Sequence, residues 1–308
     1  CKLRGARIFA PTGSYAEVGG EGVYGYIIHR SGYERWLAEQ IVGEGGEVKT
    51  KFRVTKSLLC GMAEDYDYVV GADGIAGATR EFLGLGKPPL DDLHVAVEDL
   101  AEGDAGDDVV ELHFGSVAPK GYAWIFPTGE DGLFRVGLGV PLSERLNARK
   151  LLDKFHKTVG TTPVGEIGAK LIPTAKPPKR LVYGNVLLVG DAGLQTDPVT
   201  GGGIVNAMVG AKCLARAIAE GKPENYDKYW KERLYLTNLL RYQLKRVLYD
   251  FTDEDFNELV RCAEGFNPSL RFGLGFALAQ AVFHLMMKNP SLVIRKRFFR
   301  RVLNPRNT

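Results

Sequence analysis

The sequence predicts a mixed α/β and α+β chain, in which an α/β unit is split by an inserted antiparallel sheet and followed by a helical C-terminal region. Three observations predict this. Two short runs, Tyr66–Gly71 and Val186–Gly190, are almost continuously apolar, as in parallel strands buried on both faces. Between them, residues 93–140 alternate polar and apolar, with turns at 103–107, 116–121 and 128–132, which is the pattern of antiparallel strands. From Tyr226 onward the period changes: Tyr226, Trp230, Leu234, Leu240, Leu244 and Val247 share one helical stripe.

The remaining elements follow in order. Residues 3–28 read as a hairpin with a Pro11–Gly13 turn. Tyr33, Trp36, Leu37 and Ile41 have helical spacing, and the helix stops near Gly43. Residues 47–60 and 66–71 read as strands, and residues 149–160 as a short helix. A small-residue helix follows Val186–Gly190 and runs to Ile218; further helices are expected at 253–263 and 270–287. The expected domains are 29–88 with 180–221 for the α/β unit, 1–28 with 89–179 for the antiparallel sheet, and 222–308 for the helices.

Composition narrows the function classes. Of 308 residues, 45% are hydrophobic and 25% charged, which excludes disorder and fits two domains or one with a large insertion. A net charge of +3 gives no footprint for nucleic acid. Cys1, Cys60, Cys213 and Cys262 are scattered without metal-ligand spacing, so no metal is expected and a reducing compartment is. The tail beyond Met287 carries Lys288, Arg295, Lys296, Arg297, Arg300, Arg301 and Arg306 with Phe298 and Phe299 interleaved. It reads equally as a contact with an anionic membrane surface or as a solvated end. The apolar stretch 270–287 is shorter than the roughly 20 residues a spanning helix needs.

Two strings carry chemistry. In Leu187–Gly193, continued by Asp197–Ile204, a buried strand delivers Asp191 to its carboxyl end, where open α/β sheets bind ligands. Gly201, Gly202 and Gly203 allow close backbone approach to a flat ring, and the helix that follows directs its free N–H groups at it. In Tyr68–Arg80 a second apolar strand ends in Gly71-Ala-Asp73-Gly74, with Arg80 within reach of a phosphate.

Together these strings resemble the FAD-binding motifs of the flavoprotein hydroxylase superfamily, over residues 30–85 and 180–220. The resemblance implies a split FAD-binding Rossmann-like domain with an inserted substrate domain. It implies that Asp191 holds the ribityl chain and that Asp73 and Gly74 lie near the pyrophosphate. Gly77 departs from the pattern, which usually has Ser there. Pro119-Lys-Gly-Tyr-Ala-Trp-Ile-Phe-Pro127 then resembles the substrate-domain signature of the geranylgeranyl reductase family. Alternation on a strand puts Tyr122, Trp124 and Phe126 on one face, as the wall of an apolar substrate cavity or as an aromatic sheet core. The family pattern also implies flavin contacts at Arg30, Val54 (on a strand Lys51–Thr55), Gly203 and Ile204.

The chemistry implied is saturation of geranylgeranyl double bonds of a lipid by hydride transfer from reduced FAD, with NADPH or ferredoxin as electron donor. The implied place is cytoplasmic, or peripheral at the inner face of the membrane. Two alternatives stand beside it: a flavin-dependent monooxygenase on an aromatic or polyene substrate, and a non-catalytic isoprenoid-binding remnant. The string Gly20-x-Gly22-x-x-Gly25 precedes a strand instead of following one, so it reads as a turn. The true fingerprint is expected upstream of Cys1, and this 308-residue chain alone is expected to bind FAD weakly or not at all. No proton donor is named, Tyr122 being one candidate. His29, His94, His113, His156 and His284 are expected to be structural or at the surface.

Overall fold

The computed structural model describes residues 1–19, 22–263, 284 and 287–289. Gly20, the helix expected at 270–287 (save for isolated residues) and the basic tail from Arg295 lie outside the described residues. The chain opens with β1 (Lys2–Leu3), the hairpin β2 (Gly5–Phe9) and β3 (Tyr15–Gly19), and β4 (Gly25–Tyr26), which pairs with β1. Helices α1 (Arg30–Gly43) and α2 (Lys56–Asp65), strand β5 (Val69–Gly71) and the short helix α3 (Ala78–Phe82) follow. Then come β6 (Leu93–Glu102), β7 (Val109–His113), β8 (Tyr122–Pro127) and β9 (Leu133–Pro141). Helix α4 (Ala148–Val159) leads to β10 (Thr162–Pro163), β11 (Gly168–Pro173), β12 (Val182–Tyr183) and β13 (Val186–Leu188). Four helices follow: α5 (Ile204–Ala219), α6 (Asn225–Trp230), α7 (Leu236–Leu248) and α8 (Asp253–Ala263).

Among the described residues the large sheet has the order β10-β6-β9-β8-β7-β2-β3, with β11 also paired to β6. Pairing is antiparallel except where β2 joins β7 in parallel. The alternating stretch 93–140 thus forms the centre of this sheet, and the N-terminal hairpin extends it. Its core lies under α4, where Leu152 and Phe155 meet Phe134, Val136 and Leu138. The two apolar runs meet as expected: β13 pairs in parallel with β5, register Leu187 to Val70. A second core covers β13 with α5 and α6, and Tyr226 and Trp230 are fully buried in it. Among the described residues no helix is long and apolar enough to cross a membrane, and no group of side chains could hold a metal ion.

Two expectations are corrected. Residues 47–60 hold no strand: Lys51–Thr55 is irregular, Lys51 has φ 57°, and α2 begins at Lys56. The Thr55 hydroxyl accepts from the amide of Leu58 at 3.4 Å and caps the helix, and Leu59 and Met62 have the three-residue spacing of a helix face. The stripe predicted beyond Tyr226 also drifts. Tyr226, Trp230 and Val247 are buried as that stripe requires, but Leu240 and Leu244 are only half buried, and the buried face of α7 also holds Asn238, Leu239, Tyr242, Gln243 and Lys245. A π-helical turn at Lys231–Tyr235 adds a residue and breaks the uniform period.

Candidate active site

Asp191 follows β13 in a tight turn, Gly190–Gly193, and is half buried. Its Oδ1 accepts from the Thr196 hydroxyl at 2.9 Å. A Cβ at Gly203 would stand 3.1 Å from the same oxygen, so this glycine keeps the space above the carboxylate open. Gly203 is also the N-cap of α5 and makes no side-chain capping bond. The first amides of a 16-residue helix are therefore left for an external partner beside the carboxylate. Ile204, the first helical residue, is 42% exposed.

A buried network holds this turn. Gln195 Oε1 accepts from the Gly190 amide at 2.8 Å, and its Nε2 donates to the Tyr226 hydroxyl at 2.9 Å. Tyr226 in turn donates to the Leu188 carbonyl, and Asn206 Nδ2 donates to the Gln195 carbonyl. Burial pushes the Tyr226 phenol up, so it stays a donor. The glycine loop is closed by Asp197, which accepts from the amides of Val199 and Thr200 and pairs with Arg241 at 2.5 Å.

The second string forms a loop held from within. Asp73 Oδ2 accepts from the Thr79 amide at 2.8 Å and hydroxyl at 2.9 Å, so it caps α3. A Cβ at Gly77 would fall 2.1 Å from Asp73 Cγ, which explains glycine at this position. Gly74 takes φ +78°, open to glycine. Arg80 is buried and its guanidinium is engaged within the chain: Nη1 donates to the Ala192 carbonyl at 2.9 Å and Nη2 to the Gly86 carbonyl at 2.7 Å. Arg80 thus fastens the Asp73 loop to the Asp191 turn. Arg30 opens α1 and pairs with Glu34 at 2.6 Å, and Val54 is half buried in the irregular segment before α2.

Tyr122, Trp124 and Phe126 form one aromatic row on β8, with ring centroids 5.7 and 5.9 Å apart, and Phe114 and Phe256 extend it beyond Tyr122. The Trp124 indole donates to Glu98 at 3.0 Å. Its ring lies over Gly137, where a Cβ would meet Trp124 Cζ2 at 2.5 Å. Tyr122 donates its hydroxyl to the Thr200 carbonyl, joining the aromatic row to the glycine loop. Burial pushes this phenol up.

Between row and loop lies a cavity walled by Tyr122, Trp124, Pro198, Val199, Leu248 and Phe256. Phe126 continues the row outside it. One side is polar, with His94, Lys120, Thr174, Lys245 and Tyr249. His94 was expected to be structural or at the surface; it is buried on this wall, faces Tyr249, Lys120, Lys245 and Thr174, and is pushed down to about 4 by its burial. The partners lie far apart along the chain, which is why spacing did not reveal them. A lysine within the buried face of α7, with Tyr242 and Tyr249 near it, was the available signal.

The family model for the geranylgeranyl reductase catalytic domain matches residues 92–168. The chain is 30% identical to a digeranylgeranylglycerophospholipid reductase of Methanosarcina acetivorans, over 91% of this chain and 77% of that protein. It superimposes on the crystal structure of a geranylgeranyl bacteriochlorophyll reductase-like protein from Thermoplasma acidophilum with TM-score 0.77 and 22% identity, covering 96% of this chain and 82% of the other. The crystal structure of a flavoprotein/dehydrogenase from Cytophaga hutchinsonii follows with TM-score 0.63 and 14% identity, covering 97% and 82%. The cofactor that the sequence resemblance implies is FAD. The donor set fits it: a carboxylate for a polyol, an uncapped helix start for an anionic ring, and a glycine cradle between them. On its sequence similarity the chain belongs to the geranylgeranyl reductase family.

Proposed function

We propose that this chain is an FAD-dependent reductase that saturates carbon–carbon double bonds of geranylgeranyl chains in lipids. The observation that carries the reading is the Tyr122–Thr200 hydrogen bond, which closes an aromatic, largely apolar cavity directly onto the glycine loop before α5. An isolated alkene offers no polar handle. It must be held by shape, and water must be kept away. Trp124, Phe114, Phe256 and Leu248 supply such walls. When bound, FAD supplies the hydride chemistry.

In this reading Asp191, Gly203 and Ile204 hold FAD, with Asp73 and Gly74 shaping the loop beside it and Arg30 and Val54 nearer its far end. Residues 29–88 and 180–221 form the cofactor domain, and 1–28 with 89–179 the substrate domain. Tyr122 and Trp124 hold the isoprenoid, and Phe126 extends the aromatic wall. The lipid comes from a membrane surface, and NADPH or ferredoxin supplies electrons. Incubation of the FAD-loaded chain with a geranylgeranyl glycerolipid and dithionite, without oxygen, tests this. A gain of two hydrogens per bond is expected; an oxygen-requiring hydroxylated product would point to a monooxygenase instead.

A further inference from the structure

The polar side of the cavity is an ordered chain of donors. Lys245 Nζ is buried and donates to Asp92 Oδ1 at 2.6 Å, to the Thr174 carbonyl at 2.8 Å and to the Thr174 hydroxyl at 3.3 Å. The Thr174 hydroxyl lies 2.9 Å from His94 Nδ1. His94 Nε2 lies 3.2 Å from the Tyr249 hydroxyl, which donates to the Asp91 carbonyl at 3.0 Å. With a neutral His94 ring, only one set of directions satisfies all these contacts. An ammonium can only donate, so its proton points at Thr174. The Thr174 proton then goes to Nδ1, Nε2 carries the imidazole proton toward Tyr249, and Tyr249 sends its own proton onward. Every bond runs the same way, from Lys245 to a phenol on the cavity wall.

We propose that Lys245, Thr174, His94 and Tyr249 form a directed proton relay, and that the Tyr249 hydroxyl is the acid that protonates carbon in the cavity. The proposal rests on the reductase reading above. That reaction adds a hydride to one alkene carbon. The π electron pair then forms a C–H bond at the other carbon with the Tyr249 proton. His94 Nε2–H returns a proton to the phenolate, the Thr174 hydroxyl proton moves to Nδ1, and Lys245 restores Thr174, leaving an amine that takes its proton back from solvent and an Nδ1–H imidazole that exchanges back to the Nε2–H tautomer before the next turnover.

The surroundings suit these roles. Lys245 and Lys120 place their ammonium groups 5.3 and 5.9 Å from the centre of the Tyr249 ring, where they stabilise a transient phenolate. Burial lowers Lys245 and so makes it a readier source. Burial, with Asp92 and Asp91 adding, raises Tyr249, which keeps it protonated between turnovers. Tyr122, the other phenol on the wall, donates to the Thr200 carbonyl as Tyr249 does to that of Asp91. No chain of donors stands behind it among the described contacts, so it is not the acid.

Two measurements on the full chain test the relay. The first is imidazole ¹⁵N NMR of His94 at neutral pH, which needs no turnover. A neutral ring protonated at Nε2 is expected, with its Nε2 signal shifted in Tyr249→Phe. An imidazolium, or a ring protonated at Nδ1, would overturn the relay. The second is anaerobic saturation of a geranylgeranyl glycerolipid with dithionite and FAD. Tyr249→Phe is expected to lower kcat by about 100-fold or more, with KM within about twofold. His94→Gln keeps polar contacts but cannot pass a proton, and is expected to lower kcat likewise. Wild-type turnover in either variant would overturn the relay and leave the reductase reading intact. A wild-type chain that saturates nothing would instead remove that reading, and the relay's reaction with it.

Discussion

The buried guanidinium of Arg80 donates to the carbonyl of Ala192 at 2.9 Å, across 112 residues of sequence. Asp73 and its capped helix α3 stand on one side of this bond, and the Asp191 turn stands on the other. The two strings are thus joined directly by a buried hydrogen bond. A charged side chain spent on two backbone carbonyls is costly to bury and costly to remove.

Arg80→Met keeps the apolar stem and leaves the carbonyls of Ala192 and Gly86 unpaired. The expected loss is about 3 kcal/mol of folding stability. Urea unfolding checks it. An unchanged midpoint would mean that the strings are held together by other contacts.

Gly77→Ser would restore the residue usual in the flavoprotein pattern. Its Cβ needs the place now held by the Asp73 carboxylate, 2.1 Å away, so Asp73 must swing off Thr79. Loss of this cap costs about 1 kcal/mol. A crystal structure of the variant should show Asp73 turned out and no longer bonded to Thr79.

Gly137→Ala puts a methyl into Trp124 and within 2.6 Å of the Val97 carbonyl. Backbone cannot yield as a side-chain tip can, so about 2 kcal/mol of destabilisation is expected. Tryptophan fluorescence should report a displaced indole, and thermal unfolding should report the loss.

His94 makes stability depend on pH. Its pKa falls from 6.5 to about 4 on folding because burial, with Lys245 adding, disfavours the imidazolium; the Lys120 carbonyl and Asp91 oppose this only in part. The unfolded chain therefore binds more protons between these values, and stability falls as pH drops from 6.5 to about 4. A shift of this size corresponds to about 3 kcal/mol. His94→Gln should flatten that part of the stability curve, measured by urea unfolding from pH 4 to 7.

Local pattern revealed the parts of this molecule whose causes are local. The continuous apolar runs at Tyr66–Gly71 and Val186–Gly190 pair in parallel, and the alternation at Tyr122, Trp124 and Phe126 lines up three rings. The glycine loop opens α5 at Ile204, as its spacing implied. What escaped reading depends on partners far along the chain or on a break in period. The hydrogen bond between His94 and Tyr249 spans 155 residues, and that from Lys245 to Asp92 spans 153. The π-turn at Lys231–Tyr235 put Lys245 on a face that uniform helical spacing assigns to neighbours such as Leu244. Lys51–Thr55 looked like a strand until Thr55 was seen to cap α2.

Asp191 carries the cofactor reading. Asp191→Ala removes a carboxylate that stands beside an uncapped helix start and, in this account, accepts from the ribityl hydroxyls. FAD affinity should fall by about 30-fold, near 2 kcal/mol, as read by flavin fluorescence titration. Equal affinity would move the cofactor away from this turn.

The most direct measurement is the mass of a geranylgeranyl glycerolipid after anaerobic incubation with the FAD-loaded chain and dithionite, for wild type and Trp124→Ala. The account predicts added pairs of hydrogens with wild type and a strongly reduced yield with Trp124→Ala. A lipid of unchanged mass with wild type, despite bound and reduced flavin, would contradict it.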